Sequence, residues 1–111
     1  MEHMRHLDKE KVLLLLLDSR NRMIRELVLS VGSENAAFVS VREIFQKALN
    51  ANAARVILLH NHPSGLPEPS RDDLVLTRTI KEAGEMMGIP LLDHIIIGDL
   101  CFTSLKEQGV L

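Results

Sequence analysis

The sequence predicts an α/β fold, a mixed β-sheet flanked by helices, and three observations carry that expectation. Apolar runs of strand length occur at KVLLLLLD (11–18), ARVILLH (54–60) and LLDHIII (91–97). Two segments open with serine-led capping signals and continue with apolar residues at helical spacing. The order strand, strand, helix, strand, helix, strand, strand then requires at least one crossover helix, in a two- or three-layer arrangement.

Each element has its own reason. KVLLLLLD lacks the polar face of an amphipathic helix and suits a strand buried on both sides. SRNR makes a polar turn, and MIRELVLSVG (23–32) reads as the partner strand of a hairpin. SENAAFV follows as a loop. Ser40 and Glu43 form an S-x-x-E capping box that opens a helix to about Asn50, with Val41, Ile44, Phe45, Ala48 and Leu49 on one face. After the strand at 54–60, a Pro/Gly loop spans 61–69. A long helix is expected over 71–87, with Leu74, Thr77, Ile80, Ala83, Gly84 and Met87 at packing spacing and Gly88 ending it. The strand at 91–97, a GD turn, a short strand CFTS (101–104) and a last helical turn from Leu105 complete the chain.

At 111 residues the chain fits one domain, read as 10–111 after a start of no assigned function at 1–9 that includes His3 and His6. Aromatics are 3% with no Trp or Tyr, so the core must be aliphatic. A formal net charge of −2 gives no strong nucleic-acid signal, because phosphate binding needs a basic footprint. The longest unbroken apolar run, Val12 to Leu17, is far short of a membrane span, and MEHMRH has no signal-peptide core. The single cysteine, Cys101, fits a reducing cytoplasm and reads as buried and inert beside Phe102.

The chemistry concentrates in HNHPSGLPEPSRDD (60–73). His60 and His62 sit two apart at a strand end, so both side chains share one face, roughly 6.6 Å apart at the backbone. From that separation two imidazoles can share a metal about 2.0–2.1 Å from each nitrogen. Pro63, Gly65, Pro67 and Pro69 restrict the loop that follows. Ser70 is a natural N-cap, which places Asp73 at the third helical position, tilted back toward the histidines and kept ionised by the helix dipole. Ser70 and Asp73 alone are a capping box, an account that leaves the H-x-H and the stiff loop unexplained. Together they point to metal binding by His60, His62 and Asp73. Three protein ligands leave a fourth corner open, the mark of a catalytic zinc site that can activate water. Ser70 would donate to the developing oxyanion, and a carboxylate from elsewhere in the sheet would be the base. The literal HNH does not signal an HNH nuclease, whose residues stand far apart on a ββα-metal hairpin.

A glutamate followed by H-x-H, seven residues and S-x-x-D resembles the JAB/MPN metallohydrolase motif, called JAMM, and His60, His62, Ser70 and Asp73 match its spacing. The wider text LLLLLDSRNRMI, SVREIFQKALNANAARVILLHNHPSG and LLDHIIIGD is similar to the RadC-type branch, the DNA repair protein RadC family, from about residue 10 to the end. The resemblance implies a JAB/MPN (cytidine deaminase-like) fold and one zinc ion per chain. It also implies hydrolysis of an amide, peptide or isopeptide bond in a peptide or protein substrate. It makes Glu10 the general base, with Glu26 as rival and Glu43 as a capping partner. Longer relatives carry an upstream helical region of helix-hairpin-helix type, so its DNA contact is not expected from these residues. A DNA-repair accessory module and a non-catalytic metal-bound scaffold remain the alternatives. Ser64 and Gly65 are expected to shape the loop and Asp72 to face solvent. Asp93 and His94 fall on opposite faces of a strand, and one of them is expected to be a buried hydrogen-bonded support.

Overall fold

The computed structural model describes residues 10–31, 39–62 and 64–111. The start at 1–9, most of the SENAAFV loop and Pro63 lie outside the described residues. The elements are β1 (Lys11–Leu17), β2 (Met23–Val31), α1 (Val41–Asn50), β3 (Arg55–Asn61), α2 (Arg71–Met87), β4 (Leu91–Ile97) and β5 (Phe102–Ser104). They build the expected mixed sheet, in the order β2-β1-β3-β4-β5. Only β3 and β4 run parallel, joined through α2, while the other three pairings are antiparallel.

Local chemistry explains the turns. Asp18 closes the β1–β2 hairpin by accepting from the backbone N–H of Arg20 at 2.8 Å and of Arg22 at 2.9 Å. Asn21 takes the left-handed conformation there (φ 61°), which asparagine tolerates better than most residues. Ser40 caps α1 by accepting from the Glu43 N–H, and Gly88 ends α2 in the left-handed conformation.

Strand parity divides the core. Val12, Leu14, Leu16, Val56 and Leu58 belong to one cluster with Ile44, Phe45 and Ala48 of α1 and Leu76 and Ile80 of α2. Leu13, Leu59 and Ile97 form a second cluster on the opposite face. Both helices therefore cover the face to which residues of Leu58 parity point. His60 lies on that face, and this places the site between sheet and α2.

Several expectations about burial change. Cys101 is exposed, because β5 starts only at Phe102 and the residue lies in the preceding turn, with Leu100 at φ 59°, where its thiol donates to the Gly65 carbonyl at 3.7 Å. Leu49 and Met87, at the ends of their helices, are exposed, while Leu76 supplies the buried contact in place of half-buried Leu74. Residues 105–109 form turns and no helix. Among the described residues no helix is long and apolar enough to cross a membrane.

Candidate metal centre

The sheet register brings the first two groups together. Val12 of β1 pairs with His60 of β3, so Glu10, two residues earlier, shares a face with both. Glu10 is 5% exposed and its Oε1 contacts Nε2 of His60. Glu26, the rival base, pairs with Leu15, whose side chain belongs to the opposite face. The register therefore turns Glu26 away from the histidines.

The loop that returns to them is held by backbone bonds as well as by its prolines. His62 N–H donates to the Ile97 carbonyl at 2.9 Å, and Gly65 N–H to the His62 carbonyl at 2.9 Å. The Gly65 carbonyl in turn accepts from Asp99 N–H at 2.8 Å. At Gly98 a Cβ would meet the Gly65 oxygen at 2.4 Å, so only glycine lets the β4–β5 turn approach this closely. Ser64 is exposed at the loop surface, and Asp72 is half-buried rather than facing solvent fully.

Asp73 completes the group. The α2 capping box is reciprocal: Ser70 Oγ accepts from Asp73 N–H at 3.1 Å, and Asp73 Oδ2 accepts from Ser70 N–H at 2.8 Å. The same carboxylate lies between the histidines, with Oδ2 at 2.9 Å from His62 Nε2 and Oδ1 at 2.9 Å from His60 Nδ1. The contact to His60 lacks hydrogen-bond alignment, and both of its atoms are buried without a partner. Burial of Asp73 opposes its charge, but His60, His62 and the Ser70 N–H outweigh that and hold its carboxyl well below the usual carboxylate range. The structure thus gathers Glu10, His60, His62 and Asp73, with Ser70 at the edge.

His62 carries a further constraint. Its Nδ1 lies 3.1 Å from the Leu66 carbonyl, which can only accept, so Nδ1 holds the hydrogen. Its Nε2 then faces a carboxylate oxygen and must carry either a proton or a cation. The Asp73 contact accordingly raises the His62 pKa above the ordinary imidazole value. In many metal sites a histidine is oriented this way, its second nitrogen donating to a carbonyl.

The sequence marks one nearby residue only as a candidate support. His94 of β4 is 0% exposed and stacks on His60, with centroids 6.0 Å apart and 19° between planes. Its Nδ1 is 2.6 Å from Thr77 Oγ1, which donates to the Asp73 carbonyl at 2.8 Å. Burial, together with nearby His60, pushes its pKa down to about 4. Its neighbour Asp93 accepts from Ser104 Oγ at 2.5 Å and Lys106 N–H at 3.0 Å, so both residues take support roles. The available signal is a histidine beside Asp93 in a strand whose other residues are all Leu or Ile.

The family model of the RadC-like JAB domain matches residues 1–110. The chain belongs to that family. A UPF0758 protein of Desulforamulus reducens is 51% identical over 111 residues, covering 100% of this chain and 49% of that protein. A UPF0758 protein of Geobacter sulfurreducens is 54% identical over 103 residues, 93% of this chain and 45% of the relative. One from Methanosarcina mazei is 50% identical over 106 residues, 96% and 46% respectively. The chain spans about half the length of these curated relatives. What aligns is the JAB/MPN-type module that contains all four gathered residues.

Proposed function

We propose that this RadC-like JAB domain is a zinc-dependent hydrolase of the JAMM type, cleaving an amide, peptide or isopeptide bond in a peptide or protein substrate. The observation that carries the reading is the buried carboxylate of Asp73 between His60 and His62, with Glu10 against the same His60 ring. Glu10 Oε2, His60 Nδ1, Asp73 Oδ1 and His94 Nε2 are all buried without a hydrogen-bond partner. Such atoms are costly unless something pairs with them, and imidazoles with a carboxylate are donors that zinc accepts. The residues therefore fit a divalent cation, held by His60, His62 and Asp73. When bound, such an ion supplies Lewis acidity and lowers the pKa of water toward neutrality.

The chain's own groups supply the rest. Glu10 has one carboxylate oxygen free to take the proton of an attacking water and return it to the leaving nitrogen. Ser70 accepts a hydrogen bond through Oγ, which leaves its O–H to donate to a carbonyl oxygen as negative charge develops. Asp73 keeps its charge through His60, His62 and the helix start, and the Leu66 carbonyl fixes the His62 ring.

Glu10→Gln is expected to lower turnover of peptide and isopeptide substrates about 10²- to 10⁴-fold while zinc content stays near wild type. His60→Ala should lose both. Full activity in the glutamine variant would remove Glu10 from the mechanism. The net charge of −2 counts against autonomous DNA binding by this domain.

A further inference from the structure

We infer that His94 can take the place of His62 as third donor to the same cation, so that His60, Asp73 and His94 form an inner set able to hold it with one corner still open; this rests on the metal reading above. Among the described residues the four partnerless buried atoms come from Glu10, His60, Asp73 and His94, and none comes from His62. Both His62 nitrogens are engaged, one by the Leu66 carbonyl and one by Asp73 Oδ2. The expected ligand on the loop side is thus already paired, while the buried ring behind His60 is not.

The hydrogen-bond chain sets the His94 tautomer. The single Thr77 hydroxyl proton goes to the Asp73 carbonyl, so Thr77 Oγ1 accepts from His94 Nδ1–H. Nε2 is left with a bare lone pair, buried and without a hydrogen-bond partner. One ligand atom from each of His60, Asp73 and His94 lies within 4.8 Å of the others. Donors of a single zinc ion stand about 4 Å apart or less, so a small inward movement suffices. The Thr77 link is also the arrangement that orients a metal-binding histidine through its second nitrogen.

The two ligand sets share His60 and Asp73 and differ in exposure. His94 lies wholly inside, whereas His62 sits at the strand end with its side chain 16% exposed. Holding the cation by the inner set frees the His62 position without releasing the ion.

The test uses the whole chain with His3 and His6 replaced by alanine, leaving His60, His62 and His94 as its only histidines. Zinc affinity is measured by competition with a chromophoric chelator, and imidazole ligands are counted by X-ray absorption of the zinc-loaded protein. His62→Gln is expected to keep a stoichiometric ion bound by two imidazoles at lower affinity, and loss of the ion from this variant overturns the inference. His94→Gln should also weaken binding, and the double variant should lose it. One imidazole in His62→Gln, or unchanged affinity in His94→Gln, overturns the inference while leaving the metal reading intact. If His94→Gln does not fold, the imidazole count in His62→Gln decides alone. A background protein that binds no zinc overturns both.

Discussion

The same capping motif occurs at two helix starts, with different consequences. At Ser40–Glu43 the serine hydroxyl accepts the N–H of the third helical residue and steadies α1, the one half of the expected capping box that forms there. At Ser70–Asp73 the same bond is made, but the carboxylate also reaches His60 and His62 and is completely buried. The difference lies outside the motif. α2 starts at the end of a loop pinned to the β4–β5 turn, beside a strand that carries H-x-H. A capping box becomes a candidate site only when its acid points at groups that need it.

Exchanging the acids gives the widest separation. Asp73→Ala should abolish metal-dependent activity and destabilise the fold, because His62 Nε2 and the Ser70 N–H lose their shared acceptor. Glu43→Ala should stay within about 1 kcal/mol of wild-type stability and retain activity. Paired melting curves and turnover assays check this, and equal effects would erase the distinction. Next comes Glu10, beside only one of the two boxes: loss of a general base costs about 10²- to 10⁴-fold in kcat, with KM and zinc content little changed.

The third prediction concerns pH in the metal-free protein. His94 has a depressed folded pKa of about 4 against an ordinary value of 6.5, so the unfolded chain binds more protons between those values. Stability should therefore fall as pH drops from 6.5 toward 4, by an amount on the order of 2 to 3 kcal/mol. His62 acts with the opposite sign. Its raised pKa gives stability that is fully present below 6.5 and is lost as pH rises through its folded value. Asp73, lowered from 3.8, loses its contribution only in stronger acid. Denaturant titrations across pH should show the acid limb vanish in His94→Gln and the alkaline limb vanish in His62→Gln.

The smallest effects sharpen the comparison most finely. Ser40→Ala and Ser70→Ala should each cost about 1 kcal/mol as lost caps. Only Ser70→Ala should also lower kcat, and an equal kcat in both would confine Ser70 to capping.

Much of this was legible in the sequence because periodicity and caps are local. The strands at 11–17 and 91–97 and the helix at 71–87 follow from apolar runs, serine caps and Gly88. The pairing of His60 and His62 with Asp73 was legible through spacing alone. Exposure of Cys101 was not, since it depends on how the turn before β5 is held against Gly65. His94 was readable as a support but not as a neighbour of His60. That contact requires the parallel register of β3 and β4 and the Thr77 tether from α2. Nor could local pattern tell which of Glu10 and Glu26 faces His60, since that depends on which face each residue's cross-strand partner occupies.

The central claim is that Asp73, between two histidines, makes this helix start a cation site. Calorimetric titration of zinc into metal-free wild type and Asp73→Ala tests it most directly. The account predicts saturation at about one ion per chain for the wild type and no comparable binding for the variant. Wild-type protein that takes up no zinc, or an alanine variant that binds it equally well, would contradict it.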